Sequence, residues 1–276
     1  MRYEVWDVFT EAAFGGNPLA VVWDEGLDTP EMQAIASEFG FSETVFLADA
    51  SPGGARARIF TPTQEVPFAG HPAIGAACAL AADGHGPGMV LDLAVGPIRV
   101  LAESGGAAFT VPGPLRRIEA IPAHVVAGCT GLAEADLGPC ERASVGLPFV
   151  IAEVPDATVL SQAAPHVDAF RQAAEDFPSP LDFAIYLWTR TGGEVRARMF
   201  APLDEIPEDP ATGSAAAALA ALIAEGGGPD RLTVRQGGEM GRPSRILTRA
   251  VVEGGAVTEV RVAGPAVRVM SGTLHV

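Results

Sequence analysis

The sequence predicts an α+β chain of two pseudo-symmetric lobes, each a β-barrel wrapped around a central α-helix. Two observations carry this. The first is an internal repeat: RARIFTPTQEVP at 56–67 and RARMFAPLDEIP at 196–207 share seven of twelve positions. The second is the Ala-rich, nearly uncharged segment that follows each copy, FAGHPAIGAACALAA and EDPATGSAAAALAAL. A helix that is small and apolar on every side is buried on every side, so each copy predicts a sheet curled around one such helix.

Within each copy, RARIF and RARMF alternate polar and apolar side chains, as a half-buried strand does. A Pro-containing loop follows. Proline then stands near the start of the Ala-rich segment, a favoured first-turn position, which predicts helices beginning near Pro72 and Pro210. With the second copy two residues shorter, Pro72 aligns with Pro210, Gly75 with Gly213, and His71 falls opposite Asp209. Weaker echoes support duplication: GNPLAVV with GLPFVIA, and ETVFLAD with DFAIYLW. The pattern breaks at PGPLRRIEAIP. The predicted lobes are residues 1–115 and 116–276, with a strand near 264–276 returning to the first.

The 276 residues carry a formal net charge of −16, and 48% are hydrophobic. That composition supports a core, and so acidic a surface repels phosphate backbones and anionic membranes. All eighteen basic residues are Arg. Without a lysine amine, Schiff-base chemistry, an internal pyridoxal-phosphate linkage and a Walker-type phosphate loop are excluded. Cys78, Cys129 and Cys140 are odd in number and widely spaced, which predicts buried free thiols in place of zinc ligands or disulfides. The MRYEVWDVF start does not resemble a secretory signal, and the apolar run Ala215–Ala224 is too short to span a bilayer. The expected location is the cytoplasm.

Both helix starts carry a titratable group, His71 in AGHPAIG and Asp209 in EDPATGS. The free N–H groups of Gly75, Gly213 and Ser214 form an anion site there, with a substrate carboxylate as the natural guest. Asp209 reads equally as a helix cap, and His71 as a satisfied buried histidine. Glu43 lies in GFSETVF, among Phe41, Val45 and Phe46. It reads as a solvated strand end, or as a buried carboxyl raised toward neutral pKa and fit for proton transfer.

The motifs SETVFL, RIFTPTQEVPFAGHPAIGAA, EDPATGSA, RQGGEMGRPS and AGPAVRVMSGTL, with WDVFTEAAFGGNPLAVV at the front, follow one another here as they do in the phenazine-biosynthesis-like (PhzF-type) family. The resemblance covers nearly the whole chain. It implies the diaminopimelate epimerase-like fold and a cofactor-free isomerase that moves a proton between carbons of a small carboxylate. It implies Glu43 as general acid/base with His71 and Asp209 as partners. Gly70, Gly213 and Ser214 match substrate-holding positions, Asn17 a further contact, and Arg242 a structural role. A homodimer is also implied.

Cysteine racemases of this fold place one thiol at each helix start. Here those places hold Gly70–His71 and Gly213–Ser214. The alternatives are a non-catalytic small-acid-binding protein, a racemase or epimerase of the same fold, and a metal site built from the same His and carboxylates.

Overall fold

The strands follow the alternation seen in the sequence. A computed structural model describes residues 1–179 and 182–276. In the first half, β1 (Arg2–Val8), β2 (Asn17–Trp23), β3 (Glu43–Ser51), β4 (Gly54–Phe60), a short β5 (Glu65–Val66), β6 (Gly88–Leu93), β7 (Gly96–Glu103) and β8 (Gly106–Pro112) are joined by helices α1 (Thr29–Phe39) and α2 (Gly70–Ala82). The second half holds β9 (Arg116–Ala120), β10 (Cys140–Ser144), β11 (Pro148–Glu153), β12 (Ile185–Thr191), β13 (Glu194–Ala201), β14 (Ile206–Asp209), β15 (Arg231–Gln236), β16 (Ser244–Glu253) and β17 (Ala256–Thr273). Its helices are α3 (Ala123–Thr130), α4 (Ala157–Gln162), α5 (Val167–Asp176) and α6 (Gly213–Glu225).

The pairing repeats between halves. β2 and β3 are parallel, as are β4 and β6; in the second half β11 and β12, and β13 and β15, are parallel in the same places. The neighbouring pairs are antiparallel. β17 serves both halves. Its residues 256–263 pair with β16, residues 259–265 pair with β8, and residues 266–273 pair with β1, closing the first barrel. Closure removes the exposed strand edges that invite aggregation.

Each barrel is filled by one helix, as its composition requires. Every residue of α2 from Gly70 to Leu80 is buried, and α6 is buried along nearly its whole length. Both belong to one continuous apolar core with Phe68, Phe109, Tyr186 and Val262. A second cluster around Phe170, Phe183 and Phe200 lies under α3 and α5.

The helix starts differ from the repeat alignment. α2 begins at Gly70, so Pro72 and His71 sit within its first turn; α6 begins at Gly213, three residues beyond Pro210. Counted from Arg56 and Arg196, the second copy reaches its helix three residues later, not two sooner. The counterpart of Gly213 is therefore Gly70. Gly75 lies inside the helix, where an added Cβ would meet Leu19 Cδ2 at 2.3 Å and Val8 Cγ2 at 3.2 Å. It is a packing glycine, and its place as a substrate contact is corrected.

Candidate active site

The two central helices meet end to end. A Cβ on Gly70 would lie 3.0 Å from the Ser214 amide nitrogen and 3.3 Å from the Gly213 carbonyl carbon. The residue before α2 is Ala69, which has no side-chain acceptor, and Thr212 before α6 caps nothing with its side chain. The first-turn N–H groups of both helices thus lack side-chain caps, and two positive dipole ends converge on one place.

Around this junction the chain gathers groups from both lobes. Glu43 opens β3 opposite Leu19 of the parallel β2, and Asp209 closes β14. Asn17, wholly buried at the start of β2, joins them. Its amide nitrogen donates to Asp209 Oδ1 at 2.7 Å and to the Ala211 carbonyl at 3.1 Å, and its Oδ1 accepts from Ser42 Oγ at 2.9 Å. Both amide hydrogens are therefore spent within the protein. Asn17 does not line the pocket. It holds Asp209 in place across the lobes.

Asp209 accepts a second hydrogen bond, from Thr212 Oγ1 at 2.5 Å. Behind it, Gln236 Nε2 donates to the Asp209 carbonyl at 2.8 Å and to Thr212 Oγ1 at 3.0 Å, while Tyr186 donates its hydroxyl to Gln236 Oε1 at 3.1 Å. Asp209 is thus fixed by a side-chain network and is not the cap of α6. Burial pushes its carboxyl up to about 6, against the lowering pull of Thr212 and Asn17.

His71 Nδ1 lies 3.3 Å from Glu43 Oε2. Burial lowers the imidazole to about 3, while burial first and the Asp209 charge second push Glu43 up to about 8. Both directions leave the proton on the carboxyl near neutrality, so the contact joins a neutral acid to a neutral base and is not an ion pair. His71 is 3% exposed, stands behind Glu43, and is absent from the pocket wall. Its Nε2 makes no hydrogen bond to a described residue.

The pocket wall itself carries Glu43, Asp209 and Ser214 beside Phe68, Phe149 and Met199. It also carries Gln64, Asp182 and Asp204, which the motifs did not single out. Asp204 contacts the Asp182 carboxyl and accepts from Gln64 Nε2 at 3.2 Å; burial pushes it up to about 7. A larger surface hollow lies elsewhere, beside Arg196, Arg235 and Arg245, and each of these arginines is already paired with a glutamate. Arg242 pins the loop at 15–16, donating to the Gly15 and Gly16 carbonyls at 2.8 Å and to Asp7 at 2.6 Å. The three cysteines are buried free thiols, each raised by burial, and none lines the pocket. Among the described residues no three His, Cys, Asp or Glu side chains are grouped to hold a metal ion, and no helix is long and apolar enough to cross a membrane.

The sequence matches the profile of the phenazine biosynthesis-like proteins over residues 6–272. The chain belongs to this family. It is 41% identical to an uncharacterized isomerase of Mesorhizobium japonicum, covering 100% of this chain and 99% of that protein. It is 36% identical to the trans-2,3-dihydro-3-hydroxyanthranilate isomerase of Pseudomonas aeruginosa, over 95% of each. With such relatives along its length, this family member is an isomerase. A PhzF-family protein of Bacillus anthracis superposes with a TM-score of 0.85 at 25% identity, covering 100% and 99% of the two chains. A hydroxyproline epimerase of Agrobacterium vitis, at 15% identity and a TM-score of 0.63, shares the fold.

Proposed function

We propose that this isomerase moves a proton between carbons of a small carboxylate, without a cofactor, using Glu43 as general acid and base. The observation that carries the reading is the Glu43 carboxyl, raised to about 8 on the wall of a pocket where two helix N-termini converge. A carboxylate guest at Gly70, Gly213 and Ser214 gains from both dipole ends, typically ~0.3–1 kcal/mol each and more when partly buried. Held there, it presents a neighbouring C–H to Glu43. The ionised form of Glu43, the minor one near neutrality, takes that proton, the electron pair spreads into adjacent unsaturation, and Glu43 returns the proton to another carbon on the same face.

His71 and Asp209 act on this step through Glu43. His71 offers a neutral acceptor to the Glu43 proton, and the nearby Asp209 charge raises the basicity of the ionised form. The thiol positions favour this reading over a two-cysteine racemase, since Cys78 lies within the buried body of α2 and is raised to about 12.

The test is incubation in heavy water with a panel of small unsaturated carboxylates, headed by trans-2,3-dihydro-3-hydroxyanthranilate, followed by nuclear magnetic resonance. Double-bond migration with deuterium at the receiving carbon supports the reading. Inversion at one carbon without migration would contradict it.

A further inference from the structure

The motif RQGGEMGRPS places Gln236 at the end of β15, and the proton transfer described above makes no use of it. Its side chain is buried and stands behind Asp209. Backbone groups fix which way its amide points. The Asp209 carbonyl can only accept, so the group 2.8 Å from it is Nε2. The Thr212 N–H can only donate, so the group 3.2 Å from it is Oε1. The wholly buried Tyr186 gives Oε1 a second donor at 3.1 Å.

This orientation decides the direction of the next bond. With one amide hydrogen on the Asp209 carbonyl, Gln236 turns the other onto Thr212 Oγ1 at 3.0 Å. Thr212 owns a single hydroxyl hydrogen, and it goes to Asp209 Oδ2 at 2.5 Å. Asn17, oriented in the same manner by the Ala211 carbonyl, donates to Asp209 Oδ1 at 2.7 Å. Both oxygens of the buried Asp209 therefore receive a donor, which favours the carboxylate over the acid. A protonated Asp209 would turn its own hydrogen against one of these donors.

The other titratable groups facing Asp209 come from several elements. Glu43 belongs to β3, and His71 of α2 lies 3.3 Å from it, kept neutral by burial. Burial first and the Asp209 charge second keep Tyr186 of β12 protonated. Glu208, the neighbour on β14, is clasped by Arg198 of β13 at 2.7 and 2.8 Å. Asp182 and Asp204 stand on the pocket wall, and the Asp204 charge adds to the push on Glu43. The hydrogen bonds on Asp209 thus decide which of the two facing carboxyls, Glu43 or Asp209, carries a proton.

We propose that Gln236 and Thr212 are positioning residues: Gln236 turns the Thr212 hydroxyl onto Asp209, so that Asp209 keeps its charge and Glu43 holds the proton. This deepens the isomerase reading and rests on its choice of Glu43 as the acid and base. Neither positioning residue takes part in the proton transfer itself.

The experiment follows the side-chain carboxyl carbons of the purified full chain, labelled with carbon-13 at Asp and Glu, by nuclear magnetic resonance across pH. Glu43→Gln and Asp209→Asn identify the two resonances. In the wild type Glu43 should titrate near pH 8, with Asp209 already ionised there. Thr212→Val removes the donor and keeps the shape. Asp209 should then hold its proton to higher pH and Glu43 release its proton at lower pH, by about half a pH unit or more, as loss of a charge-assisted hydrogen bond implies. Thr212→Ser should restore both midpoints. Gln236→Met should move them in the same directions, and a merely structural role would lower its melting temperature without moving either. If Gln236→Met does not fold, Thr212→Val decides the matter, and Thr212→Ala replaces the valine variant if that does not fold. Unmoved midpoints in the folded Thr212 variant or in folded Gln236→Met, or a wild-type Asp209 that releases its proton after Glu43, would overturn the proposal. Unimpaired turnover in Glu43→Gln would instead sink the acid/base role of Glu43 and leave the midpoints as they are.

Discussion

At the level of single residues, the site is defined by which protons are already committed. Asn17 spends both amide hydrogens on Asp209 and Ala211, and Thr212 spends its hydroxyl on Asp209. Asp209 is thereby held, while Glu43 has only weaker partners and stays raised. This has a consequence for stability. A carboxyl raised on folding adds stability that is fully present below its unfolded pKa and is lost as pH rises through about 8. Glu43→Gln lacks that titration. The variant should therefore gain on the wild type in melting temperature between pH 5.5 and pH 9, by roughly a few degrees. An equal gap at both pH values would show that Glu43 is not strained by ionisation. Glu43, His71 and Asp209 were readable in sequence because each sits in a distinctive motif. The spent donors of Asn17 were not, because they can be counted only when both lobes are in place. Asp182 and Asp204 were equally hidden: they stand far apart in the chain and meet only through the loops flanking β12 and β13.

At the level of elements, the strands were legible and the helix register was not. RARIF and RARMF carry their own period-two pattern, and the folded strands cover both. The Ala-rich segments have no side-chain landmarks, so matching Pro72 to Pro210 slid one helix against the other. The folded chain distinguishes two glycines that the sequence treated alike. Gly75→Ala would crowd Leu19 and Val8 inside the first barrel, a cost of about 1–3 kcal/mol for overpacking. It should lower the melting temperature and leave ligand affinity nearly unchanged. Gly70→Ala would press on Ser214 and Gly213 where the helices meet. Its loss should appear chiefly as weaker carboxylate binding. Titration and thermal melts of both variants check this; matching effects on binding would remove the distinction.

At the level of the whole molecule, one strand ties the halves together. β17 pairs with β16, β8 and β1 in turn, so removing residues 266–276 opens the first barrel along β1. The truncated chain should lose cooperative unfolding by calorimetry and expose its apolar core, whereas a dispensable tail would leave the transition intact. The same architecture sets Glu43, from one lobe, and Asp209, from the other, on one pocket wall. Proton transfer by Glu43 within that shared cleft is the central claim. It is tested most directly by turnover of Glu43→Gln with any carboxylate that the wild type isomerises. The variant keeps the shape and loses the base, so binding should persist while kcat falls by about 10²-fold or more. A variant that turns over at the wild-type rate would remove Glu43 from the chemistry.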